Sequence, residues 1–172
     1  MNNKGETTIK FKPSQLLNLP AFLLGILLIP GLFLLDKLLK LYLPVDFVPD
    51  KFEPYILNLP VFLAILYAFY LGYHMLKIYC LRYEISSEEF RYYSGVLHRK
   101  HEFIELYRLK DFSVDRPLVY RLFGMGNLTI YTSDKTTPVF KMEAIKNPRK
   151  IYKTLRGLVE QNRREKHVFE VD

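Results

Sequence analysis

Two long uncharged stretches constrain this chain more than any motif in it. From Leu16 to Leu35 no residue is charged, and only Asn18, Pro20, Gly25, Pro30 and Gly31 fall outside the hydrophobic set. From Tyr55 to Leu76 a second uncharged stretch is interrupted only by Asn58, Pro60, Gly72 and His74. At a helical rise of about 1.5 Å per residue, each reaches roughly the 30 Å of a hydrocarbon core. Buried helices of a soluble bundle would carry polar residues at a 3.6 period, and neither stretch does. The first is also too long for a cleaved signal peptide and lacks a small-x-small site after it. Two membrane-spanning helices, over about 16–35 and 55–76, are therefore predicted.

Basic residues set the predicted orientation, because acids contribute little to topology. Lys4, Lys10 and Lys12 precede the first span, and Lys37, Lys40 and Lys51 are diluted among acids between the spans. The rest of the 25 Lys and Arg follow the second span. Both termini are expected in the cytoplasm, with the connector around Pro44, Pro49 and Pro54 a short extracytoplasmic loop. The repeat Asn18-Leu19-Pro20 and Asn58-Leu59-Pro60 reads as a capping device used at the start of each span. Pro30 should kink the first helix. The spans contain no Asp, Glu, Lys or Arg, which disfavours proton or ion transport.

The chain divides on this reading into residues 1–79, a tail and a two-helix membrane hairpin, and residues 80–172, a cytoplasmic domain large enough for one small core. In the second part the period changes to two. Tyr79, Leu81, Tyr83 and Ile85 alternate with Cys80, Arg82 and Glu84, and Ser86 to Glu89 supply a turn. Phe90 to Ser94, Lys100 to Tyr107, Asp111 to Asp115, Leu128 to Thr132 and Val139 to Ala144 read as further strands, with Gly95 and Asp134 to Thr137 as breaks. The last element is a helix with Asn147 as N-cap and Pro148 at its first position. Ile151, Tyr152, Leu155, Leu158 and Val159 form its apolar stripe, and the charged stretch from Glu160 is expected to fray. Short antiparallel strands closed by one amphipathic helix describe an α+β domain, a small barrel or sandwich with a C-terminal capping helix.

Three blocks carry a resemblance to a known family: Tyr83-Glu84-Ile85 through Tyr93-Ser94-Gly95-Val96-Leu97, Leu109-Lys110-Asp111-Phe112-Ser113-Val114, and Arg121-Leu122-Phe123-Gly124-Met125-Gly126-Asn127-Leu128-Thr129-Ile130. In these the chain resembles the bacterial pleckstrin-homology-like domain proteins in which two N-terminal transmembrane helices lead into such a domain. Asp115 departs from the family, where Gln is common. The resemblance implies a PH-like fold and a place in the bacterial cytoplasmic membrane as a multi-pass protein, and it implies no reaction.

The search for chemistry gives no catalytic constellation, so no enzyme, cofactor or metal is expected. Gly124-Met125-Gly126 lacks the third glycine of a dinucleotide fingerprint and leads into a strand, so a turn explains it better. Asn127-Leu128-Thr129 is a formal glycosylation sequon, expected to be inert on the cytoplasmic side. Cys80 is the single cysteine and cannot form an internal disulfide or a thiolate cluster. His98 and His101 have no carboxylate or thiol beside them to complete a metal site.

Two basic clusters remain as candidate binding sites. His98, Arg99, Lys100 and His101, with Arg82, Arg91, Arg108 and Lys110 nearby, could face anionic lipid of the inner leaflet, or could be a solvated rim. The turn acids Glu88 and Glu89 argue against specific inositide recognition. Arg116 and Arg121 flank Leu118 and Tyr120, a mixture of charge and apolar surface suited to protein contact. Alternatively Leu118, Tyr120 and Leu122 plug the barrel end. Expected partners are the bilayer and a membrane protein or a second copy of the chain. Nucleic acid is not expected, because no recognised motif accompanies a modest basic excess. The first expectation is a non-catalytic membrane-anchored adaptor; an anionic-lipid sensor and an accessory subunit of a larger membrane enzyme or channel are the alternatives.

Overall fold

The computed structural model describes residues 8–42 and 53–167. The connector around Pro44 and Pro49 and the chain end from residue 168 lie outside the described residues. The chain forms two compact units, one from Asn18 to Leu76 and one from the residues up to Leu17 together with those from Lys77 on.

In the first unit, a 3-10 turn over Gln15–Asn18 leads into helix α1 (Leu19–Tyr42), and helix α2 (Glu53–Cys80) follows. Both are long and apolar enough to cross a membrane. Their pairing uses a small residue: a Cβ on Gly25 would meet the Tyr67 ring at 3.0 Å, and the Tyr67 hydroxyl donates to the Ala21 carbonyl at 2.7 Å. The helices differ from expectation at their ends. α1 runs through Pro30 and on to Tyr42, where Lys40 bonds Asp36 one turn earlier at 2.9 Å. α2 begins at Glu53, so Pro54 stands in its first turn, where a missing N–H costs nothing. Asn58-Leu59-Pro60 is therefore interior rather than a cap, and the capping explanation of the repeat holds for position alone in the first copy, where Asn18 directly precedes α1.

Among the described residues, the second unit holds seven strands in two antiparallel sheets. The first sheet orders β1 (Ile9–Phe11), β2 (Arg82–Ile85), β3 (Glu89–Ser94) and β4 (Lys100–Glu105), and the second orders β5 (Leu109–Asp115), β6 (Met125–Thr132) and β7 (Val139–Lys146). A five-residue helix α3 (Leu118–Leu122) links β5 to β6, and helix α4 (Pro148–Glu165) ends the unit. Strand β1 corrects the boundary at residue 79. The tail assigned to the hairpin pairs Ile9 with Ile85, Lys10 with Glu84 and Phe11 with Tyr83, and the Ser14 N–H donates to the Ala144 carbonyl of β7 at 2.9 Å. The helical hairpin is thus inserted between the first two strands of the domain. The strand expected from Tyr79 also starts later, because α2 continues to Cys80 before β2 begins.

The core follows the two-residue period. Tyr83, Ile85, Phe90, Ile104, Leu128, Ile130, Phe140 and Met142 point between the sheets, and Leu155 and Val159 of α4 cover them. A fully buried side chain of this size contributes about 1.5–3 kcal/mol. Leu106 and Leu109 are buried in and beside a 3-10 turn over Leu106–Arg108, which ends the strand expected to reach Tyr107. Asn147 precedes α4 as expected, but with φ of 49° it leaves its side chain without a capping bond. Among the described residues, α4 continues through Glu165 where fraying from Glu160 was expected. Asn162 is buried and donates to the Ser87 carbonyl at 3.3 Å, and Arg163 donates to the Leu109 carbonyl at 2.6 Å, so tertiary bonds hold the last turns.

Candidate functional site

The β3–β4 connection shapes the first basic surface. Gly95 takes φ of 98°, and a Cβ there would lie 1.8 Å from the His98 carbonyl oxygen, so the tight turn demands glycine. Beyond it Leu97 projects with 94% of its surface exposed. Below the turn lies a cavity of about 280 Å³ lined by Lys12, Tyr79, Arg82, Tyr93, Arg99 and His101 among others. The strand ladder assembles it. Tyr93 and His101 are cross-strand partners whose rings meet edge to face at 4.8 Å, and Arg82 sits opposite Tyr93 on the other side. Lys12 arrives from the segment after β1, its ammonium 4.7 Å from the Tyr79 ring centre.

Of the residues singled out for anionic lipid, the structure brings Arg99 and His101 to this cavity and adds Lys12, which the sequence reading left unassigned. Arg82, named there as a neighbour, lines it too. His98 is exposed on the turn. Lys100 pairs with Glu102, whose bond and charge hold its ammonium above the ordinary lysine range. Arg108 bonds Glu105 at 2.9 Å and approaches Asp134 at 3.7 Å, and Lys110 lies on the other sheet. Arg91 is held by Glu89 at 3.1 Å. The continuous patch expected across these residues is thereby divided, because neighbouring carboxylates engage Lys100, Arg91 and Arg108.

The second surface is built on α3. Pro117 precedes it, and its five residues leave Leu118 76% and Leu122 85% exposed, with Val119 and Phe123 exposed beside them. Leu118 and Leu122 therefore do not plug the barrel. Tyr120 alone turns inward, half-buried, and burial first, then the Glu143 carboxylate, push its hydroxyl above the ordinary range against the opposing Lys141. Arg116 donates to the Met125 carbonyl at 3.2 Å, and its stem packs over Gly126, where a Cβ would come within 2.7 Å. Close approach explains this second glycine of the GxG. Arg116, Arg121, Arg149 and Lys153 line one groove with Val114 and Tyr152. Among the described residues, no ion pair joins these four cations to a carboxylate.

Among the described residues no group of three His, Cys, Asp or Glu side chains is placed to hold a metal ion. The sequon asparagine is structural. Asn127 is buried and its side-chain oxygen accepts the Ala144 N–H at 3.0 Å, where β6 and β7 slip register.

Four strands and three, closed by one C-terminal helix, agree with a family comparison in which the bacterial PH domain model matches residues 15–159. The chain belongs to the bacterial PH domain family. Comparison with curated proteins and with solved structures gives no match. The matched region of this bacterial PH domain chain starts at Gln15 and runs through both long helices, so the insertion lies within the family pattern while β1 lies ahead of it.

Proposed function

We propose that this protein is a non-catalytic, membrane-anchored PH-like adaptor that recruits or stabilises a membrane protein at the inner face of the bacterial cytoplasmic membrane. Embedding of α1 and α2 is supported by apolar side chains exposed on the paired helices, such as Leu27 at 75% and Phe69 at 76%. Water penalises such surfaces and lipid does not.

The observation that carries the adaptor reading is α3, with Leu118 and Leu122 turned outward beside Arg116 and Arg121. An apolar contact beside arginines that form no ion pair among the described residues suits a partner face with an apolar centre and acidic rim, the cations steering encounter and the leucines slowing release. Placing a photo-crosslinking amino acid at Leu122 in the full chain, in its native membrane, tests this. One protein adduct that disappears when Arg116 and Arg121 are reversed to Glu supports the adaptor. Adducts to lipid alone assign the surface to the membrane and sink it.

A further inference from the structure

Among the described residues, strand β5 has a strand partner on one side only. It pairs with β6, and β6 with β7, so the outer edge of β5 presents backbone N–H and C=O groups that no strand takes up. At the Leu109 end α4 reaches this edge, where Arg163 donates to the Leu109 carbonyl at 2.6 Å. Toward Asp115 a groove of about 710 Å³ opens instead, lined by Val114, Arg116 and Arg121 and by Arg149, Tyr152 and Lys153 of α4. Tyr152 is held from both ends, its ring 5.6 Å from that of Phe112 and its hydroxyl accepting from Arg156 at 3.0 Å.

We infer that this groove binds an extended acidic peptide segment of a protein partner, added as a further strand to the open edge of β5. The four cations around it form no ion pair among the described residues, and like charges gathered in this way favour an anionic occupant. The volume suits several residues rather than a single ion. At about 3.3 Å per residue, the stretch from Phe112 to Asp115 matches roughly four peptide residues. Its two faces also dictate a pattern. Phe112 and Val114 are half-buried, whereas Asp111, Ser113 and Asp115 are exposed on the opposite face, where Asp115 acts on Lys141. A strand paired to β5 continues that alternation, so every second side chain meets the cations and those between them meet acids. The ligand therefore carries Glu or Asp at alternate positions, with uncharged residues between. This names the chemistry of the partner and rests on the adaptor reading for the partner being a protein; the groove and the exposed leucines of α3 are separate contacts.

The test titrates the full chain, in nanodiscs of phosphatidylcholine, with a fluorescein-labelled decapeptide of alternating Glu and Thr and follows anisotropy. The peptide should bind more tightly than an isomer with its five Glu in one block, and hydrogen exchange of β5 amides should slow in its presence. Arg149→Glu with Lys153→Glu should weaken binding at least about ten-fold, because two attractions become two repulsions. Lys135→Glu with Arg164→Glu makes the same charge change at exposed positions outside the groove and should leave most of the affinity. Thermal melts of both variants separate lost binding from lost fold. Absence of peptide binding, equal losses in the two double variants, equal affinity for the two isomers, or unchanged exchange in β5 each overturn the inference; binding of the parent chain to phosphatidylglycerol vesicles but not to the peptide does so by assigning the groove to the membrane. The adaptor reading is tested separately at Leu122: a protein adduct there without peptide binding sinks the groove alone, and peptide binding with lipid adducts alone sinks the α3 contact.

Discussion

The Phe11 and Tyr83 rings lie 5.3 Å apart across the β1–β2 pair, joining residues on either side of the inserted helices. Tyr83 passes the contact inward, with Tyr92 at 5.6 Å and Phe140 at 6.1 Å, and Phe140 meets Phe90 at 5.0 Å. Burial in this cluster drives the Tyr83 hydroxyl far above the ordinary tyrosine range. Phe11 is partly buried against the core. Phe11→Ala should therefore cost about 2 kcal/mol, less than a fully buried Phe. Denaturant unfolding of the detergent-solubilised chain, followed by domain fluorescence, measures it; an unchanged midpoint would show that β1 contributes nothing.

Asn127→Ala should cost about 1–3 kcal/mol, because it strands a buried Ala144 N–H whose backbone sits at φ of 49°. Hydrogen exchange at Ala144 should quicken in the variant. Unaltered protection there would mean that another acceptor serves it.

At the β6–β7 turn, the Thr136 N–H and hydroxyl donate to Asp134 at 2.9 and 2.8 Å and hold its carboxyl below the ordinary range, with Arg108 adding a favourable charge. A depressed folded value means that this stabilisation is present above the ordinary carboxyl pKa of about 4 and is lost as pH falls through the folded value. Thermal melts from pH 7 down to acid should show Asp134→Asn losing less stability over that window than the parent chain. Parallel curves would contradict the assignment.

Leu155 is fully buried on the inner face of α4, while Lys153 is exposed. Leu155→Asp should cost at least about 3 kcal/mol by placing a charge in the core, and Lys153→Asp no more than about 0.5 kcal/mol. Equal losses in chemical denaturation would place the wrong face of α4 inward.

The distribution of Lys and Arg predicts that a reporter inserted after residue 49 reads outside the cytoplasm and one fused after Asp172 reads inside. The reverse pattern would remove the inner-leaflet setting of the proposed function.

Much of the domain was legible because its signals are local. Asn147-Pro148 marks the start of α4, Leu155 and Val159 recur at helical spacing, and Leu128, Ile130 and Thr132 alternate over a strand that is buried on that face. Strand β1 was not legible. Three residues, Ile9-Lys10-Phe11, are too few for a period, and their partner lies beyond two apolar helices. The same gap hid Lys12 from the cavity that Arg82, Arg99 and His101 line. A nearest-neighbour reading also counts Lys100 and Arg108 as available charge, whereas pairing with Glu102 and Glu105 becomes visible only in three dimensions. The ordered end of α4 depends likewise on Ser87 and Leu109, distant in sequence.

The insertion of α1 and α2 between hydrogen-bonded strands imposes a parity rule. Strands β1 and β2 share one sheet, so Phe11 and Arg82 occupy one solvent compartment, and any crossings of a bilayer between them must be even in number. A chain in which only one helix inserted would leave Ile9 to Phe11 on the far side, and the edge of β2 would stand unpaired and open to other chains. Completion of the sheet is thus compatible with both helices crossing a bilayer or with neither, never with one alone, and deleting one helix of a crossing pair would cost the domain its first strand.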